Sequence, residues 1–386
     1  MRKILFTATI DEHIWSFHLP YLKWFKENGF EVHIASSGKT TIPFCDQKFH
    51  IPFQRSPFNW SNWQAYKQLK RLIHSQHYSL IHCHTPMGGA LTRWAAKEKR
   101  KEGTAVVYTA HGFHLYRGAP WMNWAIYYPV EKWLSRYTDC LVTINNEDYV
   151  LGQRLLANQV RLVNGVGLDL KRFTPPTKTQ KSQLRAQYHY SENDFILIFV
   201  AELNENKQQD LLIRMIDKLK AKIPTIKLLL VGDGLLREKY RMLVEKHGLR
   251  QHVFFLGYRS DIAELLSLSD VALSSSKREG LPVNIMEAMA VGLPVVATDC
   301  RGNRDLVKDG ETGFLIAIDD VEKCSSYVEV LYHSPLLRKE MGDKGMQYMK
   351  KYSLQVIEKE MAALYFDLLQ MDREQTPSTF GEVINE

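Results

Sequence analysis

Two doubly wound α/β domains built on parallel sheets are the architecture this sequence predicts, and three observations predict it. Apolar strand-like runs alternate with helix-like segments from the first residues onward. The alternation stops at a turn-rich break, Asn164-Gly165-Val166-Gly167-Leu168-Asp169, and restarts further on. The 386 residues are too many for one core and suit two domains of about 150–180 residues each.

In the first half, strands are expected at 3–8, 30–36, 79–84, 104–110, 139–144 and 159–163. Helices are expected at 16–28, 62–75, 87–101, 121–137 and 146–157, with a loop carrying Pro43, Pro52 and Pro57 after the second strand. Pro175-Pro176 and the polar run to Gln183 read as a linker. In the second half, strands are expected at 195–201, 226–232, 252–256, 270–275, 294–298 and 313–316, with helices between. Residues 319–372 read as helical. The division is therefore 1–170, a linker at 171–190, a second domain at 191–350, a last helix at 351–372 and a disordered polar tail at 373–386.

Hydrophobic content of 45% and charged content of 24% are those of a soluble globular protein. No apolar run approaches the roughly 20 residues of a membrane span. Met1-Arg2-Lys3-Ile4-Leu5-Phe6 runs straight into a strand without a signal-peptide pattern. Five scattered cysteines with no C-x-x-C pair point to a reducing cytoplasm. Residues 1–170 hold 20 Lys and Arg against 12 Asp and Glu, whereas the remainder holds 30 against 31. The first half thus carries the whole positive excess, which suits an anionic membrane surface or substrate, or else a basic solvated face. No nucleic-acid motif accompanies the charge, so no nucleic-acid partner is expected.

Residues 277–298 read as loop, helix, turn and strand. Pro282 suits a helix start, 283–291 are good helix formers, and Gly292 with Pro294 ends the helix. The opening of such a helix after a strand offers free N–H groups to an anion such as a phosphate. Glu279 and Glu287 would repel a phosphate and so suit sugar or ribose hydroxyls. An ordinary βαβ unit with two solvated glutamates accounts for the same spacing.

The run E-G-L-P-x-x-x-x-E-A-x-A-x-G-x-P-V-V-A-T at Glu279–Thr298 resembles the donor-site signature of the family 4 retaining glycosyltransferases of GT-B fold. That fold implies two doubly wound Rossmann-like domains facing a cleft, with the C-terminal helix crossing back to the first domain. The resemblance assigns Glu279 to the donor sugar and the anomeric centre. It assigns Glu287 to the ribose, and Gly280, Leu281, Pro282, Val283, Asn284 and Ile285 to donor binding. Lys207, in Ala201-Glu202-Leu203-Asn204-Glu205-Asn206-Lys207, fits the family's diphosphate-binding lysine. Glu202 stands where an arginine is usual, and Arg278 is assigned the missing charge. Gly232 lies in Val231-Gly232-Asp233-Gly234, where glycine lets the chain approach a ligand or make a tight turn. Arg259 lies where the family holds the nucleotide base, and a helix cap at Ser260 explains that segment equally well.

In the first half, strand 104–110 ends in Thr109-Ala110-His111-Gly112-Phe113-His114, at the edge where parallel sheets bind ligands. A histidine there suits proton transfer or hydrogen bonding, and equally a satisfied core position. The resemblance places His111 beside the donor sugar, with His114, His84 and His18 on the acceptor side. His82-Cys83-His84 offers alternate residues to one face, but a third metal ligand is not evident. No Asp-x-Asp occurs in the chain, which fits a metal-independent reaction with no cofactor. The segment from Thr7 to Pro20 lacks the glycines many family members carry. The aromatics Phe113, Tyr116, Trp121, Trp124, Tyr127, Tyr128, Trp133 and Tyr137 read mostly as packing. With Lys67, Lys70, Arg71, Arg93, Lys97, Lys99, Arg100 and Lys101 they also suit an anionic membrane interface.

Phe17–Lys26, His82–Pro86, Tyr108–His114 and Tyr128–Ser135 are similar to the bacterial exopolysaccharide and capsule-assembly members of this family. That similarity implies a cytoplasmic enzyme, peripheral at the inner face of the membrane. It would use a UDP-sugar donor and a polyprenyl-diphosphate-linked acceptor, beside other polysaccharide-assembly proteins. Two rivals remain open: a nucleotide-sugar epimerase of the same fold, and a catalytically weak subunit of an assembly complex.

Overall fold

The computed structural model describes residues 1–371. The tail expected at 373–386 and the last position of the expected 351–372 helix lie outside them. The chain forms two compact units, Met1–Gly167 together with the stretch that begins at Leu354, and Leu168–Ser353.

The first unit carries seven parallel strands: β1 (Lys3–Ile10), β2 (Glu31–Ser37), β3 (Gln47–His50), β4 (Tyr78–His84), β5 (Ala105–Ala110), β6 (Cys140–Thr143) and β7 (Gln159–Leu162). Their order is β3-β2-β1-β4-β5-β6-β7. The helices are α1 (Asp11–Phe17), α2 (Leu19–Glu27), α3 (Ser61–Ser75), α4 (Pro86–Lys101), α5 (Trp121–Ser135) and α6 (Asn146–Gly152). The central strands are buried nearly end to end, as expected when helices cover both faces.

The second unit carries six parallel strands in the order β10-β9-β8-β11-β12-β13. They are β8 (Phe195–Val200), β9 (Ile226–Val231), β10 (Val253–Gly257), β11 (Val271–Ser274), β12 (Val295–Thr298) and β13 (Gly313–Ile316). Its helices are α7 (Lys178–Gln187), α8 (Gln209–Leu219), α9 (Arg237–Lys246), α10 (Ile262–Leu268), α11 (Val283–Ala290), α12 (Asn303–Leu306), α13 (Val321–His333) and α14 (Pro335–Met349). After a 3-10 turn at Lys350–Tyr352, α15 (Leu354–Leu369) rejoins the first unit. It buries Ile357, Met361, Leu364 and Tyr365 in the core that holds Phe6, Trp24 and Phe25. Side chains of that size contribute about 1.5–3 kcal/mol each when fully buried. The Tyr365 hydroxyl lies 2.8 Å from His82 Nδ1, tying α15 to β4.

Three local expectations are corrected. The proline-rich loop contains β3, whose half-exposed residues carry no alternation strong enough to mark it. Lys48 of β3 makes a 2.5 Å ion pair with the buried Asp11 carboxylate. Asp11 also accepts from Ser36 Oγ at 2.6 Å and Thr40 N–H at 2.9 Å. Burial pushes that carboxyl up, but these partners outweigh it and hold it below its usual value. The stretch read as one helix at 16–28 is two, α1 and α2, broken at His18. The aromatics of α5 are mostly not packed inside: Trp121, Trp124 and Trp133 are exposed, and only Leu134 and Ser135 of that helix are buried.

Candidate functional site

Each sheet reverses its strand order once, at β1/β4 in the first unit and at β8/β11 in the second. Loops beyond the carboxyl ends of strands at such a reversal are where open parallel sheets hold ligands. Lys207 and the Glu279 loop follow the strands of the second reversal, His84 ends a strand of the first, and His111, just after β5, reaches His84.

In the second unit, β8 leads into the loop that carries Lys207, and β11 leads into the loop that carries Glu279. Lys207 Nζ and the Glu279 carboxylate form an ion pair that is largely shielded from solvent. The loops are also bound by their backbones. Ser275 Oγ donates to Lys207 O at 2.7 Å, Lys277 N–H to Asn206 O at 2.8 Å, and Asn206 Nδ2 to Arg278 O at 3.0 Å. Arg301 Nε donates to Glu279 O at 2.9 Å from the other side. Gly302 has φ +81°, and a Cβ there would meet Gly280 O at 2.5 Å, so only glycine lets this turn lie against the Glu279 loop.

Pro282 stands just before α11, whose first N–H groups, at Val283, Asn284 and Ile285, have no helical acceptor to reach. Leu281 and Ile285 are buried, so their backbone is what they can offer a ligand. Asn284 Nδ2 donates to Val200 O at 2.8 Å and fixes the helix start to the end of β8. Gly292, at φ +84°, follows the end of α11 as expected. Glu287 lies on α11, and burial pushes its carboxyl up to about 7 while Arg172 pulls it down. Arg172 Nη2 also donates to Ser260 O at 3.3 Å, so one guanidinium serves both the Glu287 side chain and the 258–261 loop. Sequence reasoning missed Arg172, Ser275 and Arg301, because Arg172 acts from a distant segment through its charge, and Ser275 and Arg301, which flank the motif, act through single backbone carbonyls.

Two of the expected donor-side positions have local partners of their own. Arg259 forms a two-point ion pair with Asp261, and Asp261 also accepts from Tyr188 Oη at 2.5 Å. Asp261, not Ser260, directly precedes α10, and its side chain makes no cap bond. Gly232 has φ +134°, and its Cβ would meet Ala201 O at 2.2 Å, while one on Gly234 would meet Leu203 O at 2.4 Å. Packing of the 232–234 turn on the 201–203 loop therefore explains these glycines without a ligand. Glu202 is exposed, and Gln209 Nε2 donates to its carbonyl at 2.9 Å.

In the first unit the histidines gather. His111 Nε2 lies 3.2 Å from His13 Nε2 and 3.4 Å from His84 Nδ1. The His18 and His84 rings stack with centroids 3.7 Å apart. His13 was not anticipated; it lies on α1, ahead of the helix expected at 16–28. Burial drives all four rings toward the neutral form, His13 to about 4 and the others well below their ordinary value. His114 stands apart, with its ring against Tyr127 and its carbonyl accepting from Asn123 Nδ2 at 3.0 Å.

The surface expected to meet a membrane is only partly as read. Arg93 is buried over the Tyr108 ring and bonds Glu131 at 2.9 Å, so it joins α4 to α5 and cannot hold a headgroup. Lys70, Lys99 and Arg100 make ion pairs with Glu98, Glu102 and Asp139. Lys67, Arg71 and Lys101 are exposed. Trp63, Trp94 and Trp133 link α3, α4 and α5 in a chain of ring contacts at 6.3 and 6.0 Å.

Comparison with known proteins places the chain in a family. Residues 180–348 match the family described as "Glycosyl transferases group 1", and residues 3–146 match "Glycosyl transferase 4-like". The chain is 47% identical over 376 residues to "Putative glycosyltransferase EpsD" of Bacillus subtilis (strain 168), covering 97% of this chain and 99% of that protein. It is 30% identical to the Escherichia coli "UDP-Gal:alpha-D-GlcNAc-diphosphoundecaprenol alpha-1,3-galactosyltransferase" over 66% of each. Among solved structures, Anabaena HepE in complex with UDP and glucose superposes with a TM-score of 0.76 at 19% identity, covering 95% of this chain and all of that one.

Proposed function

This chain belongs to the group 1 glycosyltransferases, and from that premise we propose that it moves a hexose from a UDP-sugar, with retention, to a polyprenyl-diphosphate-linked glycan. The observation that carries the reading is the Lys207–Glu279 pair at the β8/β11 reversal, beside the open N–H groups of α11. Lys207 and those N–H groups suit a leaving diphosphate, where negative charge develops as the anomeric C–O bond breaks. Glu279 suits the sugar hydroxyls and the positive charge developing at the anomeric carbon. Glu287 suits the ribose hydroxyls, with Arg172 holding it near the 258–261 loop. On the retaining route the acceptor oxygen attacks from the face the diphosphate leaves, and the departing phosphate oxygen takes the acceptor proton. The chain supplies the diphosphate contacts from its own residues in this scheme, without a metal on the phosphates.

The first unit suits the acceptor, with His111 as the group that hydrogen-bonds the reacting sugar. Its exposed Trp121 and Trp124, with Lys67, Arg71 and Lys101, suit an anionic membrane surface where a lipid-linked acceptor would be met. Two finer features of the Escherichia coli relative's name, a UDP-linked donor and a diphosphoundecaprenol acceptor, support the same substrate classes here.

The test is nucleotide release from a panel of UDP- and GDP-sugars, with and without a lipid-linked acceptor extract. Release of UDP from one donor, dependent on the extract, is the expected result. Conversion of a donor without any acceptor would indicate an epimerase and overturn the proposal. UDP binding without turnover in any extract would favour a subunit that lacks its own activity.

A further inference from the structure

We propose that His13, His18, His84 and His111 together bind one divalent transition-metal ion of the zinc class. One ligand nitrogen from each lies within 4.8 Å of the others. A zinc ion held by imidazoles at about 2.0–2.1 Å sets neighbouring nitrogens about 3.3 Å apart. The His111–His13 and His111–His84 separations, 3.2 and 3.4 Å, already have that value. The remaining separations, up to 4.8 Å, would have to shorten by up to about 1.5 Å, with the stacked His18 and His84 rings turning so that their nitrogens converge.

Hydrogen bonding alone leaves the cluster unsatisfied. His111 Nε2 faces two nitrogens but carries either one proton or one lone pair, so it completes at most one good bond with them. Both nitrogens of His18, which is 1% exposed, have no partner, and the ion would take one of them. Buried polar atoms in native proteins ordinarily find partners, and unmet ones call for an explanation such as an ion. His82 provides the contrast on the same strand. Its two nitrogens meet Tyr365 Oη and Thr109 Oγ1, each at 2.8 Å, and it takes no part in the cluster.

The chemistry selects the ion. Four neutral imidazoles and no carboxylate in the group disfavour Mg²⁺ and Ca²⁺, which take oxygen ligands, and favour Zn²⁺, Co²⁺, Ni²⁺ or Cu²⁺. Burial keeps these rings unprotonated at neutral pH, the form that ligates. An ion on His111 Nε2 would also fix the tautomer, leaving Nδ1 protonated as a hydrogen-bond donor. The ligands come from α1, the α1–α2 junction and the ends of β4 and β5, so the ion would lock the crest of the β1/β4 reversal.

The test is Co²⁺ titration of chelator-treated, untagged full-length protein, read by the visible absorption of four-coordinate cobalt. The expected result is saturation at one equivalent, displacement by Zn²⁺, and retention of binding in His114→Gln. His18→Asn and His84→Asn are each expected to weaken binding by about tenfold or more. X-ray absorption of the metal-loaded wild type serves where a variant folds poorly, with imidazole ligation expected. No uptake by the wild type, binding unchanged in both variants, or a sulfur or all-carboxylate ligand sphere would each overturn the proposal. Binding is read without turnover, so the outcome is independent of the transferase reading.

Discussion

Lys207 and Glu279, separated by 71 intervening residues in sequence, form one ion pair across the β8/β11 strand reversal. The pair joins a cation suited to the diphosphate with an anion suited to the sugar. Removing one charge should therefore affect a different step from removing the other. Glu279→Gln is expected to lower kcat by on the order of 100-fold, the usual effect of losing one preorganised transition-state contact. Donor KM should change little. Lys207→Gln should instead weaken UDP binding by about tenfold. Steady-state kinetics with UDP calorimetry separates the two, and near-normal turnover in Glu279→Gln would remove that residue from the chemistry.

The turn at Arg301-Gly302 supports this pair without belonging to it. Gly302→Ala places a methyl group 2.5 Å from Gly280 O in a left-handed backbone conformation. Overlap with a backbone atom cannot be relieved by a rotamer change, so the Glu279 loop must shift. A stability loss of about 1–3 kcal/mol is expected from the strained φ and displaced loop. Turnover should fall, and UDP affinity with it, because the displaced loop carries Glu279 and leads through Pro282 into the first N–H groups of α11. A variant with wild-type melting temperature and turnover would contradict the bracing role.

The positions of most strands and helices were legible because buried parallel strands are short apolar runs between helix patterns. β3 was not, since an edge strand with half-exposed residues is held by the Lys48–Asp11 ion pair rather than by its own pattern. The Glu279 to Thr298 segment was legible as one local motif. Its supports leave no spacing to read: Arg301 reaches the Glu279 carbonyl, Arg172 acts on Glu287 through its charge, and Ser275 ties the preceding strand end to Lys207 O. The histidine cluster was half legible. His84 and His111 end neighbouring strands, but His13 lies on α1 and His18 at the junction of α1 and α2, and no spacing in the sequence relates them to the two strand ends.

Glu287 should make stability depend on pH. Its folded-state value, about 7, lies above the ordinary carboxyl value of 4.5, so the folded protein binds more protons between these limits. Its contribution is harmless below about pH 4.5 and grows more destabilising as pH rises to about 7, where it levels off. Glu287→Gln should therefore raise the melting temperature at pH 8, by an amount equivalent to about 1–3 kcal/mol, and change it little near pH 4.5. The same variant should weaken UDP binding if the carboxylate holds the ribose. Melting curves that differ equally at both pH values would refute the assignment of the shift to this group.

Membrane attachment, if it operates through the first unit, should need both charge and aromatic surface. Lys67, Arg71 and Lys101 are exposed, and Lys67 Nζ sits 5.2 Å from the Trp63 ring centre. Each basic residue near an anionic surface contributes about 1 kcal/mol. Replacing all three by Glu should thus reduce sedimentation with phosphatidylglycerol vesicles by tenfold or more and abolish its salt dependence. Trp121 and Trp124 are 76% and 39% exposed, so Trp121→Ser with Trp124→Ser should leave the fold intact. Rings inserted at the headgroup level act on neutral and anionic lipid alike, so that double variant should lose binding to both kinds of vesicle in similar proportion. Arg93→Gln is the contrasting case: its guanidinium is buried against Glu131, and the expected effect is a lower melting temperature rather than weaker vesicle binding at temperatures where it stays folded. Equal vesicle binding by wild type and both surface variants would place the attachment elsewhere.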